Sequence, residues 1–162
     1  MGVLKADRYL TDQLSGVPLV LRQEVVVMPV LEEFLGIRRA VALWESRADA
    51  ELGAVHGLGL SDFAALHHLA QAPGRRLRRV DLARQLALTP SGVTRLLGPL
   101  ERRGIVAREE GGHDARATYA VLTRSGKALV KDATETVTAI AERILGSLGE
   151  RERAAFAKLA SL

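Results

Sequence analysis

The pair Thr89-Pro90 lies between two short helical patterns and constrains this chain more than any other feature. A Thr hydroxyl caps an orphan backbone amide, and Pro at the first helical position gives up a donor that would be unpaired there anyway. A helix therefore starts at Pro90. The stretch around it, LRRVDLARQLALTPSGVTRLLGPLERRGIVAREEGGHDARATYAVLT from Leu77 to Thr123, spells helix, turn, helix and then a hairpin. A short helix is predicted over residues 79–87. Downstream, Gly104 stops the second helix, residues 105–108 read as a strand, Gly111-Gly112 as a tight turn and residues 117–122 as the returning strand.

On the helix from Pro90, Val93, Leu96, Leu97 and Leu100 gather on one side, while Ser91, Thr94, Arg95, Gly98 and Arg102 gather on the other. Small hydroxyls, glycines and arginines in one line make a face narrow enough to enter a groove, with donors for base edges and phosphates. Gly98-Pro99 breaks the pattern: Pro99 removes the amide that would bond the Arg95 carbonyl and invites a kink. Arg102, beyond it, is expected to reach a phosphate at most.

Charge sharpens the reading. Between Arg75 and Arg103 stand eight arginines, Arg78 and Arg79 among them, against Asp81 and Glu101, a local excess of six positive charges where the whole chain carries +4. A field concentrated in this way steers polyanions and supplies the salt-sensitive part of DNA affinity. Basic membrane-surface helices need their charges along one long amphipathic helix, whereas here they surround a turn. No run of eighteen apolar residues and no secretory layout occurs, so a cytoplasmic location and no membrane partner are expected. The absence of cysteine excludes disulfides, thiolate metal sites and thiol-based sensing.

The 162 residues suit a single core. Aromatics are only 4% against 48% hydrophobic residues overall, and strand-like alternation is confined to residues 117–122, so the expected fold is mainly α with a small antiparallel β-hairpin. From Val30 a stripe of Val30, Phe34, Ile37, Val41, Trp44, Ala48 and Val55 predicts one long amphipathic helix. A second stripe, Leu129, Ala133, Val137, Ile140 and Ile144, predicts another from near Ser125, followed after Gly146 and Gly149 by a short last helix. Between them a helix is predicted over residues 61–71, with Ser61 as N-cap and Pro73-Gly74 as stop. Two long apolar helices bracketing one small domain exceed what its core needs, and the surplus predicts a helical dimer interface.

The segment from Leu58 to Gly126 resembles the MarR family of winged-helix transcriptional regulators. GLSDFAALHHLA is similar to the family's helix ahead of the reading head, DLARQLALTPSGVTRLLGPLERRGIVAR to its helix-turn-helix, and HDARATYAVLTRSG to its Asp-x-Arg wing with the Leu-Thr-x-x-Gly helix start behind it. The resemblance implies a homodimer on a pseudo-palindromic operator in double-stranded DNA. It implies major-groove contacts by Ser91, Thr94 and Arg95, and minor-groove insertion of Arg116 positioned by Asp114. Arg78, Arg79 and Thr89 complete the expected DNA-binding set. In domain terms, residues 1–28 are an extension without assigned role, 29–57 and 123–162 the dimerisation region, and 58–122 the winged helix-turn-helix.

The family also implies a small-molecule effector between the dimer helices and the DNA-binding lobe, for which Arg38, Trp44, His67 and His68 are the candidates. Trp44 equally continues an apolar stripe, and His67 and His68, adjacent on a helix, point about 100° apart. Four scattered histidines do not form a metal set, so no metal is expected, and no cofactor. No nucleophile with its base, acid/base pair or phosphate-cradling glycine loop is apparent, which argues against an enzyme. The leading expectation is a dimeric repressor released by a small molecule; the alternative is an architectural, weakly sequence-specific DNA binder.

Overall fold

A computed structural model of the chain describes residues 28–111 and 117–159. The chain divides into two units, one ending at Val41 and one beginning at Ala42. The long predicted helix is α1, Met28–His56. In the first unit its apolar side chains Val30, Leu31, Phe34, Leu35, Ile37 and Val41 are all exposed. In the second unit α1 buries Ala48 and Leu52 in the core, while Val55 is 68% exposed. The sequence stripe ended on Val55 and skipped Leu52; the buried face is the one through Leu52.

The second unit continues with α2, Leu60–Gln71; a 3-10 turn, Pro73–Arg75; β1, Arg76–Arg78; α3, Arg79–Gln85; α4, Pro90–Arg102; β2, Val106–Glu110; β3, Thr118–Leu122; α5, Arg124–Leu145; and α6, Glu150–Leu159. The fold is mainly α with a small antiparallel sheet, as expected. The sheet has three strands in the order β1-β3-β2, with Leu77 opposite Ala120 and Arg108 opposite Ala120 on its other side. Strand β1 was not expected, because the three residues Arg76-Leu77-Arg78 are too few to establish a period and owe their conformation to pairing with β3.

Local chemistry moves several boundaries. Ser61 is not the N-cap of α2: Gly59 is, its amide donating to the Asp62 carboxylate at 3.0 Å, while the Leu60 amide donates to Asp49 of α1 at 2.6 Å. Carboxylates satisfy these orphan donors with a full charge at the positive end of the helix. Helix α3 stops at Gln85 rather than running to residue 87, because Ala87 adopts a left-handed conformation (φ 52°) that turns the chain toward α4. The Gly111 amide donates to the Ala117 carbonyl at 2.7 Å, and the turn predicted at Gly111-Gly112 runs into residues outside the described ones.

The core draws on every layer: Leu52 from α1, Leu58 from the loop after it, Phe63, Leu66 and Leu69 from α2, Leu82 from α3, Val93, Leu97 and Leu100 from α4, Val106, Ala120 and Leu122 from the sheet, and Val130, Ala133 and Ile140 from α5. Leu129, Val137 and Ile144 pack partly against it. The α5 stripe is therefore largely spent on the chain's own core, and the apolar surplus sits instead on the first part of α1. Among the described residues, no helix is long and apolar enough to cross a membrane.

Candidate nucleic-acid interface

Helix α4 is fixed from inside. Val93, Leu97 and Leu100 are at most 1% exposed and set the roll of the helix, which turns Ser91, Thr94 and Arg95 to the surface. Its start is built as the sequence indicated: the Thr89 hydroxyl accepts from the Gly92 amide at 3.1 Å and lies 3.1 Å from the Ser91 hydroxyl. The Thr94 hydroxyl donates to the Pro90 carbonyl at 3.0 Å and keeps its acceptor capacity on an exposed residue. The expected kink does not interrupt the helix, which runs through Pro99 to Arg102. Arg95 and Pro99 are both exposed, so water can serve the carbonyl that lost its donor. Arg102 is exposed and its guanidinium lies 3.6 Å from where a Cβ on Gly98 would be.

The flanking arginines are not equivalent. Arg79 is held by an ion pair with Glu101 of α4, its side chain only 12% exposed, with Nε buried and lacking a hydrogen-bond partner among the described residues. It braces α3 against α4, a tether that competes with any phosphate contact. Arg78 is exposed and donates from Nε to the Tyr119 hydroxyl at 3.1 Å. Arg76 stacks on the opposite strand's Tyr119, 3.8 Å from the ring centroid, and pairs with Glu109 at 3.5 Å. Sequence reasoning missed this Arg76-Tyr119-Arg78 cluster and the role of Glu101. The cluster depends on cross-strand neighbours, and without β1 those were invisible. A cleft of about 260 Å³ opens here between Arg78, Arg79, Val80, Pro90, Thr94, Ala117 and Thr118, joining the starts of α3 and α4 to the strand that returns from the hairpin. Asp114 and Arg116 lie outside the described residues.

The proposed effector residues do not converge. His67 stacks on Phe63 (5.8 Å between centroids) and lines a largely apolar cleft of about 520 Å³ against Val137, Ala141, Leu145 and Arg153. His68, edge-on to His67, is not part of that lining. Trp44 lines a different cleft of about 330 Å³ with Arg47, Ile140 and Arg143, and meets Phe156 of α6 edge-on. Arg38 is exposed in the first unit. Among the described residues, no three His, Asp or Glu side chains gather as a metal site would require.

Residues 56–117 match the model of the MarR family. The HTH-type transcriptional repressor Rv2887 of Mycobacterium tuberculosis is 36% identical over 103 residues, 64% of this chain and 73% of that protein. The fold is similar to that of Sco3205, a MarR family transcriptional regulator of Streptomyces coelicolor solved in complex with DNA (TM-score 0.77, 23% identity, 81% of this chain and 86% of that one). It is also similar to that of Bordetella bronchiseptica BpsR, whose DNA binding is regulated by 6-hydroxynicotinic acid (TM-score 0.71, 22% identity, 80% of this chain and 96% of that one).

Proposed function

Since this chain belongs to the MarR family of transcriptional regulators, we propose that it acts in the cytoplasm as a homodimeric repressor, binding a pseudo-palindromic operator in double-stranded DNA and released by a small molecule. The observation that carries the reading is the outward face of α4, where Ser91, Thr94 and Arg95 are exposed along a helix whose opposite face is locked into the core. Arg95 supplies the donor pair that reads a guanine edge, and Ser91 and Thr94 supply small polar and methyl contacts. Arg78, exposed and set against Tyr119, is read as a flanking contact to the sugar-phosphate backbone that contributes charge without sequence information. In this reading residues 58–122 are the reading head, with Arg116 entering the minor groove and Asp114 orienting it, and residues 29–57 and 123–162 make the dimer.

Thr89 acts through the helix start that it caps rather than as a base contact, and Arg79 through its brace on Glu101. The effector site is the cleft beside Phe63 and His67, an apolar slot with a polar rim between α2 and α5, suited to a small, partly apolar molecule. A helix pair moved by such a ligand carries the reading head with it. This is a binding function with no chemical step.

The test is selection of bound duplexes from a random pool by the full chain. A two-fold symmetric consensus with half-sites about one helical turn apart, roughly 10 base pairs, is expected. Binding without a consensus but with a steep loss of affinity in salt would instead identify the architectural alternative.

A further inference from the structure

The C-terminal end of α4 is fastened to two other helices at once. On one side, α1 ends with Gly57 in the left-handed conformation (φ 62°), which leaves its last carbonyls facing out. Arg103, the C-cap residue that follows α4, fills that position: it donates from one guanidinium nitrogen to the Gly57 carbonyl at 2.7 Å and from the other to the His56 carbonyl at 3.5 Å. A cation on these carbonyls also meets the negative end of the α1 dipole. On the other side, the next two carbonyls, of Gly104 and Ile105, receive the start of α5. The Thr123 hydroxyl lies 2.8 and 2.9 Å from them, and the Ser125 hydroxyl donates to Gly104 at 2.9 Å. The approach is so close that a Cβ on Gly126 would sit 2.3 Å from the Ile105 carbonyl oxygen, so only glycine fits there. The triangle closes through His56, whose ring Nε2 meets the Thr136 hydroxyl of α5 at 2.8 Å.

We propose that Arg103 is a positioning residue for base readout: it clamps the end of the recognition helix to the end of α1, so that the pose of Ser91, Thr94 and Arg95 in the groove is set by the two long helices. The proposal rests on the DNA-binding reading above. Its physical basis is leverage. Eight residues of helix separate Arg103 from Arg95, about 12 Å of rise, so a tilt of about 5° at the clamped end displaces Arg95 by about 1 Å. A base-reading arginine tolerates about half of that. A charge contacting phosphate directly behaves differently, because backbone contacts are insensitive to sequence and each one contributes to the salt slope.

The full chain carrying Arg103→Ala, checked by thermal melting, is compared with wild type on two duplexes: the consensus that wild type selects from a random pool, and a scrambled duplex of equal length. Affinity for the consensus falls about tenfold or more, affinity for the scrambled duplex changes less than about twofold, and the slope of log affinity against log salt stays the same. Arg103→Lys keeps the charge but loses the two-carbonyl fork, and shows the same selective loss. It also decides the matter if the alanine variant melts too low to assay. Equal losses on both duplexes with a slope reduced by about one would make Arg103 a phosphate contact and overturn the proposal, as would wild-type affinity on both. A wild-type chain that selects no consensus overturns the DNA-binding reading and takes this proposal with it.

Discussion

Along α4, Val93, Leu97 and Leu100 are at most 1% exposed, whereas along the first part of α1, Phe34, Ile37 and Val41 remain open to solvent, Phe34 at 64%. Both sets recur at helical spacing and neither sequence pattern announces the difference. What separates them is supply. The stripe of α4 packs against α2, α3 and β2 within its own chain, while six large apolar residues in the first part of α1 stay 40–71% exposed. Apolar surface of that extent on one helix face is an interaction surface, and a second copy of the same helix is the occupant that the dimeric reading requires.

The largest effect expected from breaking this contrast is on the covered stripe. Leu97→Ala removes a fully buried side chain and should cost about 2–5 kcal/mol of folding free energy, visible as a lower midpoint in denaturant together with loss of every DNA contact. The exposed stripe should answer differently. Phe34→Asp should leave helix content intact and weaken self-association on the order of a hundredfold, measured by sedimentation at micromolar concentration. If this variant loses its helix content as Leu97→Ala does, the two stripes form a single folding unit and the contrast fails.

A smaller effect distinguishes arginines that brace from arginines that read. Glu101→Ala strips the partly buried Arg79 of its partner and should lower stability by about 1–3 kcal/mol, whereas Arg95→Ala, on an exposed face, should stay within about 0.5 kcal/mol of wild type. Chemical denaturation of both variants checks the pair. Smaller still, Thr89→Ala loses the N-cap of α4 and should cost about 1 kcal/mol in the same assay, with a proportionate and sequence-independent loss of DNA affinity.

How much of this was legible beforehand follows from the range of each interaction. The start of α4 was readable because Thr89 and Pro90 act on their immediate neighbours, and α1 because its stripe recurs along most of a 29-residue helix. The start of α2 differs from Ser61 because, besides the short-range bond from Gly59 to Asp62, the Leu60 amide is taken up by Asp49 on another helix. Strand β1 and the Arg76-Tyr119-Arg78 cluster were missed for the same reason: their partners are about forty residues away. At Pro99 a local rule marks a break in the pattern, yet the helix continues to Arg102 beside an exposed carbonyl. The candidate effector residues were the least legible, because clefts are made by packing: Trp44 and His67 line separate ones.

The central claim is that sequence discrimination resides on the outward face of α4, and the most direct test is to repeat the selection from a random duplex pool with Arg95→Ala. The account predicts a consensus that loses its preference at one symmetry-related pair of positions, worth about 1–3 kcal/mol per contact, while the preferences at the remaining positions persist. A consensus identical to that of wild type would place discrimination elsewhere in the molecule and contradict the claim.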